Sequence, residues 1–73
     1  MKNPFQEARE ALGKDRKGMA IALDVGYERV AACDAGAVRQ IPKTWRARLE
    51  AMGLNYDEIA ARYATWRQEQ VAR

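Results

Sequence analysis

Few side chains in this sequence can carry out covalent chemistry, and their spacing does not favour it. The 73 residues include no histidine, no serine and one cysteine, Cys33. A Ser–His or Cys–His nucleophile pair is therefore excluded within one chain, and a zinc site lacks its usual ligands. The carboxylate pairs Glu7–Glu10 and Asp57–Glu58 fall in predicted first helical turns, where the helix dipole favours negative charge. We expect no enzyme, no metal and no cofactor.

One segment has the glycine spacing of a phosphate-binding loop. It runs from Gly13 to Gly18, but Met19 and Ala20 follow where such a loop needs Lys and Ser or Thr. No strand is predicted before it. The segment is therefore not interpreted as a nucleotide site, and no small-molecule substrate is evident.

Basic residues are concentrated in the middle of the chain. The net charge is +3 and the sequence pI is about 9.4, which suits either a polyanionic partner or ordinary solubility. From Lys14 to Arg48 there are eight basic and four acidic residues, an excess of four. From Leu49 onward there are four acidic and three basic residues. The central segment is thus the candidate for contact with a polyanion.

Cap residues and helical apolar spacing predict an all-α fold, a compact bundle of about five helices in one domain, residues 1–73. Asn3 followed by Pro4 is a typical helix start, and Asn55 with Glu58 has the spacing of a capping box. Hydrophobic residues make up 48% of the chain, which favours a globular fold over disorder. The predicted helices run over about 4–12, 15–24, 27–35, 42–53 and 55–71.

The second and third predicted helices, residues 15–36, meet at a tight turn. Their apolar spacing is helical on either side of residues 24–26 and is interrupted there, where Gly26 allows the chain to turn. The features that carry a resemblance are the Asp15 cap, Met19-Ala20, Leu23-Asp24-Val25, Val30, and the run from Cys33 to Gly36. This pattern resembles the lambda-repressor and Cro-like (XRE-type) helix-turn-helix family, here in a small phage-type form, over about residues 8–54.

The resemblance implies a DNA-binding fold whose third helix enters the major groove. Phosphates would be contacted by Arg16, Lys17, Arg39 and Lys43. Base edges would be read by Gly26, Tyr27, Glu28, Arg29 and Ala32. Arg46 is a further phosphate candidate on the solvated side of the fourth helix. Arg29 has an alternative role, since it could pair with Asp34 instead of touching a base.

The apolar stripe of the fifth helix leaves two interpretations open. Its apolar residues follow steps of three and four, which allows packing on the protein's own core. Alternatively, Tyr63, Trp66 and Val71 form the dimer interface with a second copy. Two heptads are too few to establish a coiled coil, and both interpretations can hold for different parts of the helix.

The resulting functional hypothesis is a sequence-specific transcriptional regulator, a phage or mobile-element repressor that binds a palindromic operator in double-stranded DNA as a homodimer. The alternative is a helical protein-interaction module, such as an antitoxin, adaptor or anti-host factor, because Ala31 to Ala35 form a smooth face. No signal peptide or membrane span is expected from the sequence. The expected location is the cytoplasm of a bacterial or phage-infected cell, at the nucleoid.

Overall fold

Four of the five α-helices in the described residues begin within one residue of the start that the sequence predicts, and the fourth begins four residues later. The computed structural model describes residues 2–71, apart from the side chain of Val71. Its elements are α1 (Pro4–Ala11), α2 (Arg16–Leu23), α3 (Tyr27–Asp34), a 3₁₀ turn (Lys43–Trp45), α4 (Arg46–Ala51) and α5 (Tyr56–Val71). No strand occurs in the described range, so the prediction of an all-α bundle is confirmed.

Side-chain caps fix three of these helix starts. In each case a side-chain oxygen accepts a hydrogen bond from a backbone N–H that has no partner within the helix. The pairs are Phe5 N to Asn3 Oδ1 (2.9 Å), Gly18 N to Asp15 Oδ1 (2.7 Å) and Glu58 N to Asn55 Oδ1 (3.0 Å). All three caps were predicted from residue type and position alone.

The turn between α2 and α3 depends on Asp24, not on Gly26. Asp24 has a φ of 56° and caps α2 in the left-handed region, which Asp tolerates better than most residues. Gly26 has an ordinary φ of −70° and stands at the start of α3. The expectation that Gly26 provides the conformational freedom of this turn is therefore wrong.

The predicted fourth helix is divided into two parts. Pro42 precedes a 3₁₀ turn, in which Trp45 N donates to Pro42 O over 3.1 Å, and regular α-helix begins only at Arg46. Tighter turns of this kind are common at helix starts. The Trp45 ring is buried, with its centroid 5.9 Å from that of Phe5, so this turn brings an aromatic side chain into the core.

The core receives side chains from all five helices and from the loop before the 3₁₀ turn. Its fully buried members include Phe5, Met19, Val30, Ile41 and Leu49. The radius of gyration is 11.3 Å, and a compact chain of this length is expected to have one of about 11 Å. Within the described residues, every buried side-chain nitrogen and oxygen has a hydrogen-bond partner.

The stripe on α5 faces this core. Tyr63 has no exposed surface, so its assignment to the interface with a second copy is wrong, because its ring is already enclosed by the protein's own helices. Trp66 is partly buried against the core, with its ring centroid 5.9 Å from that of Tyr63. The side chain of Val71 lies outside the described atoms, and its interface assignment stays a prediction.

Burial controls the ionisation of two neighbouring core groups. Desolvation, followed by the charge of Asp34, raises the pKa of the Cys33 thiol to about 12. Desolvation also raises the pKa of the Tyr63 hydroxyl to about 12. Cys33 is fully buried and unoxidised, so it packs as a small apolar side chain.

We expect the protein to lose stability in alkali. The unfolded chain releases the Cys33 and Tyr63 protons near their ordinary pKa values of 9.0 and 10.0, whereas the folded state retains them to about 12. The stabilising contribution of these two protons is therefore constant below about pH 8 and is lost as the pH rises through 9 and 10, with Cys33 accounting for about 1.4 kcal/mol of the loss at pH 10. Urea unfolding of the wild type and Cys33→Ala measures that share. If the wild type and Cys33→Ala lost the same stability between pH 8 and 10, the assignment of that share to Cys33 would be wrong.

Gly36 is expected to resist substitution more strongly than Gly13. Both have a left-handed φ, +75° and +71°, which disfavours any side chain by roughly 1–2 kcal/mol. At Gly36 an added Cβ would also lie 2.7 Å from Trp66 Cζ3, whereas at Gly13 no atom lies within 4 Å. Gly36→Ala should therefore lower the urea midpoint clearly more than Gly13→Ala. Equal midpoints would mean that the Trp66 contact relaxes without cost.

Candidate nucleic-acid interface

The helix expected to read DNA lies at the surface. Val30, Cys33 and Asp34 bury one side of α3. The opposite side carries Glu28 and Ala32, four residues apart, of which Glu28 is exposed and Ala32 is half-buried. Because the outward side chains at positions 32 and 35 are alanines, a ligand could approach the helix backbone closely there.

The amino-terminal ends of α2 and α3 meet at one open cavity. It has a volume of about 410 Å³ and is lined by Arg9, Asp15, Arg16, Lys17 and Tyr27. Tyr27 is 51% exposed, and hydrogen bonds to Asp34 and then to Tyr27 raise the pKa of Arg16 above its usual value. Both helix ends carry positive dipole charge, so this surface favours anions.

A buried ion cluster fixes the relative positions of α1, α2 and α3. The Asp34 carboxylate is fully buried. Its Oδ2 accepts from Arg16 Nε at 2.9 Å and lies 3.0 Å from Arg9 Nη2, and its Oδ1 accepts from Arg9 Nε at 3.5 Å. Arg9 Nη1 also donates to Lys14 O at 2.8 Å, in the link between α1 and α2. Asp34 is therefore occupied by Arg9 and Arg16. The alternative in which Arg29 pairs with it is not observed.

This pairing changes the role of Arg16. Its side chain is 45% exposed, but Nε is committed to Asp34, and the residue orients the start of α2 beside Tyr27. Lys17, the next residue, is exposed, and no carboxylate within the described range pairs with it. Lys17 is consequently the stronger phosphate candidate of the two.

Arg46 is occupied within the protein. Its Nη2 lies 2.7 Å from Asp57 Oδ1 and its Nη1 lies 3.1 Å from Asp57 Oδ2, while Glu50 is 3.6 Å away. The guanidinium carbon also stands 4.7 Å from the centre of the Tyr56 ring. A phosphate would have to displace Asp57 from this exposed ion pair, and the assignment of Arg46 to DNA stays a prediction. The neighbouring Arg48 is 3.8 Å from Asp24.

The basic residues of the described range divide into those with and those without a carboxylate partner. Among residues 2–71, those with a carboxylate within 4.0 Å are Lys2, Arg9, Arg16, Arg46, Arg48 and Arg62. In the same range, the basic residues for which no such pair occurs are Lys14, Lys17, Arg29, Arg39, Lys43 and Arg67. Five of these six lie between positions 14 and 43, in and around α2 and α3. Their charge is available to an external anion.

Three residues of this site were missed by sequence reasoning. Arg9 lies four residues after Phe5, on the apolar side of α1, and Asp34 lies four residues after Val30. Opposite charges on two apolar helix faces could have indicated a buried pair. Arg67 follows Tyr63 by four residues on α5, and its Nε donates to Gly36 O in the loop after α3 over 3.0 Å, but no local pattern relates the two residues.

Replacing Asp34 should test how much the buried cluster stabilises the fold. Asp34→Asn keeps the size of the side chain but leaves Arg9, whose side chain is 10% exposed, with only the more distant carboxylate of Glu10, 3.9 Å away. Removal of one partner from a buried pair costs about 3–5 kcal/mol, a large share of the ~4–11 kcal/mol expected for a chain of this length. Asp57→Asn, at the exposed partner of Arg46, is the control and should change the urea midpoint little. Equal effects of the two substitutions would contradict the importance of the cluster.

Comparison of the chain with protein-family models, curated proteins and solved structures found no match. Within the described residues, no group of three or more Cys, Asp or Glu side chains is arranged to hold a metal ion. None of the helices in residues 2–71 has the length and apolar character required to cross a bilayer. Functional assignment therefore depends on the geometry of α2, α3 and their unpaired cations.

Proposed function

We propose that this protein is a sequence-specific DNA-binding transcriptional regulator of the XRE-like helix-turn-helix type. The observation that carries the proposal is the distribution of unpaired cations described above. Five of the six lie between positions 14 and 43, the segment that contains α2, α3 and the following loop. Lys and Arg side chains without internal counter-charges are what a protein needs to displace counterions from DNA.

The dimensions of α3 suit the major groove. Its eight residues span about 12 Å, and a helix with side chains is about 10–12 Å wide. The major groove is about 12 Å wide. With Ala32 on the outward side, the helix can lie close to base edges. Tyr27, Glu28 and Arg29 at its first turn would then contact bases, with Arg29 suited to guanine and Glu28 to a cytosine amino group.

Phosphate contacts are assigned to the cations around α3. Lys17, at the start of α2, stands beside Tyr27 at the cavity where the two helix ends meet. Lys43 is exposed at the start of the 3₁₀ turn, and Arg39 is exposed in the preceding loop. These positions carry no base information and instead set the orientation of the helix on the duplex.

Binding as a homodimer to a palindromic operator completes the proposal. One module of this size buries only about 600–1,000 Å² on DNA, so a second half-site would supply affinity. Half-sites one helical turn apart are about 34–36 Å from centre to centre. The protein measures 33 × 22 × 21 Å, so two copies fit side by side at that spacing. Because Tyr63 is buried in the core, Trp66 and Val71 remain the candidate residues of the dimer interface. Repression at an operator of a phage or mobile element follows from the family resemblance.

A protein-interaction module is the second candidate. Ile21 on α2 is 73% exposed, and its side chain would gain from burial against another protein, although a single exposed aliphatic residue is common. In this case the small side chains of α3 would form part of the docking surface, and duplex DNA would not be bound. The DNA-binding measurement below separates the two candidates.

Two substitutions should separate phosphate contact from base reading. Lys17→Ala should weaken binding to every duplex and lower the slope of log K against log salt by about 0.9. Arg29→Ala should instead relax sequence preference, by about 1–3 kcal/mol at one base pair. Arg62→Ala is the control, because Arg62 pairs with Glu7 away from α3. Fluorescence anisotropy at 50–200 mM salt, on duplexes selected from a random pool, provides the measurement.

Three outcomes would contradict parts of the proposal. Wild-type protein that binds no duplex at low salt would exclude DNA binding and favour the protein-interaction module. Equal affinity for selected and random duplexes would exclude sequence-specific regulation. If Arg29→Ala changed only the salt slope, Arg29 would be a phosphate contact and not a base reader.

A further inference from the structure

Side chains of α5 hold the loop that follows α3. Three backbone carbonyls of residues 36–41 accept hydrogen bonds from α5, and the donor residues are seven and four positions apart, on one face of the helix. The pairs are Tyr56 Oη to Ile41 O (2.7 Å), Tyr63 Oη to Val38 O (2.7 Å) and Arg67 Nε to Gly36 O (3.0 Å). The loop is therefore fixed to α5 at its start, middle and end.

Arg39 lies between the attachment points at Val38 and Ile41. It is exposed, and with Arg67 it lines an open groove of about 410 Å³ that is completed by Ala64 and Gln68. No carboxylate within residues 2–71 pairs with either arginine. The groove thus brings together two guanidinium groups from separate elements, one on the loop and one on α5.

The position of this groove relative to α3 points to a ligand. The carboxyl end of a helix carries partial negative charge and repels anions. Arg67 donates to the carbonyl of Gly36, just beyond α3, and Arg39 adds a second positive charge, so two cations offset the partial negative charge at this end of the helix. Lys17 and Tyr27 stand at the opposite end of α3, about 12 Å away for a helix of eight residues.

We infer that Arg39 and Arg67 form a phosphate clamp at the carboxyl end of α3, which binds the DNA backbone on the side of the major groove opposite to Lys17. Because the two cationic surfaces lie at opposite ends of α3, a duplex that contacts the helix can meet both of them. Arginine suits this role, because its planar donors can bind two phosphate oxygens at once. The inference rests on the proposed function and adds α5 to the DNA-binding surface.

The test compares charge-removing and charge-retaining variants. Arg39→Gln and Arg67→Gln should each lower the salt slope of duplex binding by about 0.9, and the double variant by about 1.8. Arg39→Gln and Arg67→Gln should each weaken binding to selected and random duplexes to the same extent. Arg67→Lys keeps the charge and should retain most of the slope. Arg62→Gln, an exposed α5 arginine that already pairs with Glu7, should change nothing.

Urea unfolding of the same variants separates the clamp from a purely structural role of Arg67. If Arg67→Lys lost as much binding as Arg67→Gln, in proportion to lost stability, Arg67 would only hold the loop and the clamp would be wrong. Unchanged slopes in Arg39→Gln and Arg67→Gln, with wild-type binding intact, would overturn the clamp and leave the proposed function standing. Absence of wild-type binding to any duplex would overturn both.

Discussion

Asp34 places a carboxylate in the interior, and the arrangement of the first three helices follows from the need to neutralise it. Its partners come from α1 and α2, at 3.0 and 2.9 Å, so the three helices meet at one charge. An unpaired charge at such a depth costs several kcal/mol, comparable to the whole stability of a small domain. The mutual orientation of α2 and α3 is therefore set by electrostatics as well as by apolar packing. That orientation is what brings their amino-terminal ends to one surface.

Internal ion pairs also decide which cations can bind an external partner. Arg9 and Arg16 are committed to Asp34, and Arg46 is committed to Asp57. What remains is a smaller set of unpaired cations around α3, since five of the six in the described range lie between positions 14 and 43. The modest net charge of +3 understates this local concentration, because acidic residues neutralise basic ones elsewhere on the molecule.

The last helix packs its apolar stripe on the core and also supports the loop after α3. An apolar stripe with steps of three and four is compatible with an interface between two copies and with a monomer core, because both bury the same side chains. In this protein Tyr63 faces the core with its ring, and its hydroxyl donates to Val38 O in the loop after α3. Together with Tyr56 and Arg67, it makes α5 the support of that loop. The proposed DNA-binding surface thus depends on residues far from α3 in sequence.

The sequence by itself determined the helices, because their signals are local. The caps at Asn3, Asp15 and Asn55 and the left-handed Gly36 act within a few residues, and the apolar spacing reports each buried face. Only the tertiary structure decided which charged side chains have partners within the protein. Arg9 and Asp34 are 25 positions apart, and Arg67 and Gly36 are 31 apart, so no local pattern relates them. Such pairs form only when packing brings distant elements together, and packing also decided that Asp24, not Gly26, carries the left-handed turn.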